Sequence, residues 1–205
     1  MMSIVEKNYR TVQLSMDATG TPAGQAATRS WTKSFPEIFA GPIHGPIRCL
    51  IRLDASYAAL IEDHFSRLTN EDLRLRFMSK VHRDYTANYV SHIDFDRDVL
   101  LGTVQDGVLT GFLHLGVDAR RRAEIGVSVI PDRRKEGIGE MLMRAAIDVA
   151  LLRGCVYLDL DACIDNRAML NLAKRIGMSV HSDCDGAQAR LALAPSRGVY
   201  RRRYH

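Results

Sequence analysis

The spacing of apolar and polar positions changes period several times along the chain, and each change marks an element. Residues 47–53 (IRCLIRL) alternate apolar and polar, the period-two pattern of a half-buried strand. Asp54 or Ser56 then caps a helix running to about residue 68, with Tyr57, Leu60, Ile61 and Phe65 on its buried face. After Thr69-Asn70, a second helix begins at Glu71-Asp72 and puts Leu73 and Phe77 on one face. Residues 85–92 predict a short third helix. Its Tyr85, Tyr89 and His92, with His82 before them, could edge a substrate cleft or pack as ordinary aromatic surface.

Residues 98–105 and 108–117 are apolar runs joined by Asp106-Gly107, a strong hairpin signal. A charged turn over 118–122 leads to a third strand at 124–130, which Pro131-Asp132 ends because proline cannot donate to a ladder. From there the period becomes helical: Ile138, Met141, Ala145, Val149 and Leu152 form one stripe, and Gly154 ends it. Residues 155–163 return to period two, with Val156, Leu158 and Leu160 on one face and Tyr157, Asp159 and Asp161 on the other. Strand, helix and strand in this order predict a parallel pair with a right-handed crossover. A helix starting near Asn166 and ending at Gly177 follows, then a hairpin of 178–182 with 188–194 that closes the sheet at an edge.

A chain of 205 residues can bury one sizeable core. Residues 1–46 hold only short apolar islands and read as an arm, whose Trp31, Phe35 and Phe39 pack on the core or on a second subunit. Residues 47–195 form the domain, and 196–205 a basic tail. The excess of 28 basic over 24 acidic residues equals the four arginines Arg197, Arg201, Arg202 and Arg203. Without the tail the charges balance, which disfavours nucleic acid as a partner. No apolar run approaches the roughly 18 residues that span a bilayer, and MMSIVEKNYR has no apolar signal segment, so a cytoplasmic protein is expected. Cys49, Cys155, Cys163 and Cys184 lack C-x-x-C spacing and read as reduced core residues; the scattered histidines predict no metal site.

The turn between the third strand and the long helix carries the chemistry. Arg133, Arg134 and Lys135 bring positive charge, and Gly137 and Gly139 lie where the helix begins. First-turn amides have no intrahelical partner and sit at the positive end of the helix dipole, so they accept a phosphate if no side chain blocks its approach. A P-loop is excluded because no Gly-Lys-Ser or Gly-Lys-Thr occurs, and Leu142 stands where G-x-G-x-x-G needs a small residue. What remains is R-x-x-G-x-G over 134–139, though a plain helix start with two glycines would look the same.

That loop, the N-x-A-M-x-x-L-A-x-x-x-G-M run from 166 to 178 and FSRLTNEDLRLRFM over 65–78 together resemble the GNAT superfamily of acyl-CoA N-acetyltransferases. The early stretch is similar to the acetyltransferase domain of bacterial protein-lysine acetyltransferases. The resemblance spans about 47–194 and implies an α/β (α+β) fold: a mixed, mostly antiparallel sheet flanked by helices, with splayed parallel strands at the cofactor cleft. It further implies acetyl-CoA as the acyl donor, its pantetheine arm bonded to the strand amides of Val129 and Ile130. The pyrophosphate would sit on Arg134, Lys135, Glu136, Gly137, Ile138, Gly139 and Glu140. Asn166 would lie near the reactive end, and Asn166 is equally a helix cap. Glu124 corresponds to the glutamate base of the lysine acetyltransferases, against the alternative of an exposed strand-end charge. Ala173 stands where many members keep a tyrosine acid. The implied activity is direct acetyl transfer to a primary amine, small molecule or protein lysine, and a homodimer fits the family. The alternative is a catalytically weak acyl-CoA-binding module.

Overall fold

The computed structural model describes residues 49–193 other than 185, without the side chains of residues 49 and 83. The expectations for the arm, Trp31 and the basic tail lie outside the described residues. Seven strands and five helices follow in the order β1 (Cys49–Leu53), α1 (Ala58–Ser66), α2 (Asn70–Phe77), α3 (Arg83–Ser91), β2 (Val99–Gln105), β3 (Val108–Val117), β4 (Arg122–Val129), α4 (Ile138–Leu152), β5 (Tyr157–Ala162), α5 (Arg167–Arg175), β6 (Ser179–Ser182) and β7 (Ala187–Ala192). They build one sheet in the order β1-β2-β3-β4-β5-β7-β6. The expected mixed sheet, with a single parallel pair, is therefore present.

The hairpin between β2 and β3 turns on Asp106 (φ 52°) and Gly107 (φ 75°), two left-handed residues as a type I′ turn requires. β4 pairs antiparallel with β3 over seven residues. It pairs parallel with β5 only at Arg122↔Tyr157, Ala123↔Leu158 and Glu124↔Asp159, after which the two strands part. The closing hairpin lies at the sheet edge as expected, with β7 between β5 and β6, so β6 is outermost and the last strand is interior. The first helix also begins differently, because Asp54 caps a separate 3₁₀ turn at Ala55–Tyr57, and α1 follows it.

Each sheet face has its own core. α4 covers one, and its apolar face is wider than the expected stripe: Leu142, Met143, Ala146 and Ala150 are buried, whereas Leu152 is 41% exposed. Gly111 on β3 permits this approach. A Cβ there would stand 2.4 Å from Ile138 Cγ2 and 3.0 Å from Leu142 Cδ1. The opposite face packs α1, α2 and α3 through Ile61, Phe65, Leu73 and Val90 onto Leu100 and Phe112. Within it His64 is fully buried, bonded through Nδ1 to the Leu109 carbonyl at 2.7 Å and through Nε2 to Ser128 Oγ at 2.8 Å. Of the described cysteines only Cys155 is a core residue. Cys163 is half-buried against Arg74, and Cys184 is exposed in the turn before β7.

Candidate active site

Where β4 and β5 separate they open a cleft of ≈ 1240 Å³. Its floor is set by backbone alternation. The carbonyl of Arg122 accepts from Asp118 and the N–H of Ile130 donates to the Thr110 carbonyl at 3.0 Å, so even-numbered β4 residues bond toward β3. The N–H groups of Val127 and Val129 consequently face the gap. This corrects the expectation for Ile130, whose amide is taken by the sheet and whose side chain belongs to the α1-side core.

At the tip of β4 a 3₁₀ turn, Pro131–Arg133, is closed by the Arg134 N–H. Lys135 (φ 62°) and Gly137 (φ 82°) then bend the chain through left-handed backbone into α4. The first-turn amides of α4, at Ile138, Gly139 and Glu140, have no helical acceptor. A Cβ on Gly139 would reach within 3.2 Å of Leu172 Cδ2 on α5, so a side chain there would fill the passage between the two helices. Gly137 has open space on its Cα. A bare, amide-lined turn of this kind fits a pyrophosphate.

The charged side chains expected on the loop are more tied down than the sequence suggests. Arg134 bonds the Val129 carbonyl at 3.3 Å and pairs with Asp72 at 2.7 Å. Glu140 accepts from Arg144 and, at 3.4 Å, from Arg175, bonds that hold its carboxyl below the usual range. Arg133 and Glu136 stand 3.9 Å apart, and Lys135 is exposed. Asn166 caps α5 by accepting from the Met169 N–H at 3.2 Å, and it lines the cleft.

α2 spans the mouth of the gap. Asp72, in a capping box with Thr69, holds Arg134 beyond β4, and Arg74 holds Asp165 beyond β5 at 2.5 Å.

Glu124 is the last β4 residue paired to β5, at the point where the strands part. Loss of hydration in the cleft, then the neighbouring Asp161 and Asp159 carboxylates, push its carboxyl above the ordinary range; Arg76 and His114 act weakly the other way. By surface area the side chain is exposed, because the cleft is open above it, and the shift follows from the concave walls around it. Asp159 is held by Arg190 in a bidentate pair at 2.6 and 2.8 Å, and Asp161 accepts from Gln188 at 3.1 Å. On the other side a hydrogen-bonded chain runs from Asp98 to His114 Nε2 (2.7 Å), from His114 Nδ1 to the Tyr89 hydroxyl, and from that hydroxyl to Arg76 (3.2 Å). Burial raises the Tyr89 phenol.

The structure thus brings Glu124, Val129, Arg134, Lys135, Gly137, Ile138, Gly139, Glu140 and Asn166 to one cleft, whereas Ile130 and Glu136 are not among its lining residues. Tyr89 and His92 also line it, whereas Tyr85 packs on Phe77. Sequence reasoning passed over Arg76, Asp98 and His114. The available signal was the pair of glycines flanking their positions: Gly116 is the direct partner of Glu124, and Gly126 that of His114. Small residues in strands mark close approach of another group.

The comparisons agree with this geometry. A model of the acetyltransferase (GNAT) family matches residues 64–178, more than half of the chain. No curated protein sequence matches. Among solved structures, the GNAT domain of S. lividans PAT superposes with a TM-score of 0.64 at 15% identity, over 73% of this chain and 92% of that one. The paia N-acetyltransferase from Thermoplasma acidophilum, in complex with coenzyme A, gives 0.56 at 16%, over 72% and 99%. The ribosomal-protein-S18-alanine N-acetyltransferase from Escherichia coli gives 0.56 at 17%, over 72% and 95%. At these identities the structural matches establish the fold, and the family model establishes membership. The chain belongs to the acetyltransferase (GNAT) family.

Proposed function

We propose that the protein transfers an acetyl group to a primary amine by direct attack within a ternary complex, with Glu124 as the base. A protein lysine is one candidate acceptor. The observation that carries this is Glu124 itself: a carboxylate with a raised proton affinity, at the opening of the β4–β5 gap, with no cation paired to it among the described residues. An amine bound there is largely protonated near neutral pH and must lose a proton before it can attack a thioester. Acetyl-CoA supplies the activated acyl group, and the chain supplies everything else. The Ile138, Gly139 and Glu140 amides hold the pyrophosphate, and Lys135 adds charge. The Val127 and Val129 N–H groups hold the arm in register and offer donors to the developing oxyanion. Asn166 braces the α5 side.

Ala173 is fully buried and carries no proton donor. A thiol of pKa about 8.5 leaves tolerably well as thiolate, so the reaction does not depend on an acid at that position.

The test is mass-spectrometric detection of coenzyme A and acetylated product when the protein meets acetyl-CoA and a panel of lysine peptides, polyamines, amino sugars and amino acids. Amine-dependent release of coenzyme A supports an enzyme. Binding of acetyl-CoA with no amine modified favours a binding module.

Valine at Gly137 would force a β-branched residue into φ 82° at a cost of about 1–2 kcal/mol and would cover the turn. Coenzyme A affinity, measured by titration calorimetry, is expected to fall at least about tenfold in Gly137→Val while the protein stays folded, since that strain is small against typical total stability. Unchanged affinity would remove the pyrophosphate from this turn.

A further inference from the structure

Arg76, at the end of α2, has a guanidinium laid flat on β4 at Gly126. A Cβ there would stand 2.2, 2.2 and 2.4 Å from its Cζ, Nη2 and Nη1 atoms, so only glycine admits the group. Phe77 and Tyr89 hold it with their rings at 5.0 and 5.8 Å, and its one hydrogen bond among the described residues is to the Tyr89 hydroxyl. Nε is buried without a partner, and Nη1 has none among the described residues. No carboxylate among the described residues stands within ion-pair distance. Arg134, Arg175 and Arg190, which line the same cleft, each have one. A cation withdrawn from water and left without an anion is costly. Arg76 lines the same cleft as Glu124, and Nη1, unlike Nε, is not buried.

We propose that Arg76 anchors a carboxylate carried by the acceptor, which makes the acceptor a small zwitterion of the amino-acid type. This rests on the amine-acceptor function proposed above and narrows it. Glu124 and Gly126 are two residues apart on one strand and their side positions share one sheet face, roughly 7 Å from one to the other. An amine beside Glu124 and a carboxylate a few bonds away on Arg76 bridge that span. Gly116 leaves the floor beside Glu124 open, with Asp98 Oδ1 3.8 Å from where its Cβ would be. A dianion is repelled by Glu124, Asp161 and Asp98, and a simple cation leaves Arg76 uncompensated. A zwitterion satisfies both. The guanidinium fork suits a carboxylate bidentately and is already immobilised, so little ordering remains to be done on binding.

The test is binding and does not need turnover. Protein saturated with coenzyme A is titrated, by ligand-observed NMR, with free amino acids and the matching amino-acid amides, and with a lysine peptide blocked at both ends. Carboxylates are expected to bind at least about tenfold more tightly than their amides. The preference should disappear in Arg76→Gln and persist in part in Arg76→Lys. Equal binding of acids and amides, binding of neither, or a preference that survives in folded Arg76→Gln would overturn the assignment. The wild-type comparison decides alone if Arg76→Gln fails to fold. Acetyl transfer is scored separately on the same samples: a binding preference without turnover counts against the base at Glu124, not against the anchor.

Discussion

Glu124→Gln is expected to lower kcat by about 10²–10⁴-fold, the usual range for loss of a positioned base, with little change in affinity for acetyl-CoA. The substitution keeps the shape of the side chain and removes its proton affinity, so the phosphate turn and the strand amides are untouched. The pH profile carries independent information. Burial, Asp161 and Asp159 raise the Glu124 carboxyl, so it stays protonated, and useless as a base, to a higher pH than a solvated glutamate. The rate of wild type should therefore rise with pH through a limb set above the ordinary carboxylate range, and Glu124→Gln should lack that limb. Asp161→Asn removes one of the two neighbouring charges, and the limb should shift to lower pH. Steady-state kinetics of the three proteins across pH 4–9 check both expectations, and an unshifted limb would take the base away from Glu124.

The second large effect is on stability. His64 ties α1 to β3 and β4, and it does so as a neutral ring. The Leu109 carbonyl can only accept, so Nδ1 carries the proton and Nε2 accepts from the Ser128 hydroxyl. Complete burial drives its pKa down to about 4; the bond to Leu109 opposes this only in part. An unfolded histidine titrates near 6.5, so between these values the unfolded chain binds the extra proton. Stability contributed here is present above about pH 6.5 and is lost as pH falls toward 4, by about 1.4 kcal/mol per unit. His64→Ala should cost about 3 kcal/mol at pH 7.5 through the cavity and the two orphaned partners. It should also flatten the acid side of the stability curve. Urea unfolding of both proteins at pH 7.5 and 5.5 measures the two effects together. Equal losses on acidification in wild type and variant would mean that His64 does not remain neutral in the fold.

The period of apolar residues made nearly every element legible, because a strand buried on one side and a helix lying on a sheet repeat at different intervals. Asp106-Gly107 announced its own hairpin, and Gly137 and Gly139 the bare start of α4. What local pattern does not hold is which strand lies beside which. β7 enters between β5 and β6 through pairing of residues far apart in sequence, and nothing within 187–192 states its neighbour. The same limit governs the site. That Val127 and Val129, not Ile130, face the gap depends on β3–β4 pairing, which only the sheet fixes. Asp159 and Asp161 were visible as the polar face of their strand, but their effect on Glu124 required the three-residue parallel register. Arg76 reads in the sequence as one charged position on a short helix. Its meaning comes from Gly126, fifty residues later, where the missing Cβ makes room for it.

A crystal structure of the protein with acetyl-CoA tests the central claim most directly. The expected result has the pyrophosphate on the Ile138, Gly139 and Glu140 amides, the arm bonded to Val127 and Val129, and the thioester carbon within one bridging water of the Glu124 carboxylate. A cofactor bound outside the β4–β5 gap, or a thioester on the side away from Glu124, would contradict it.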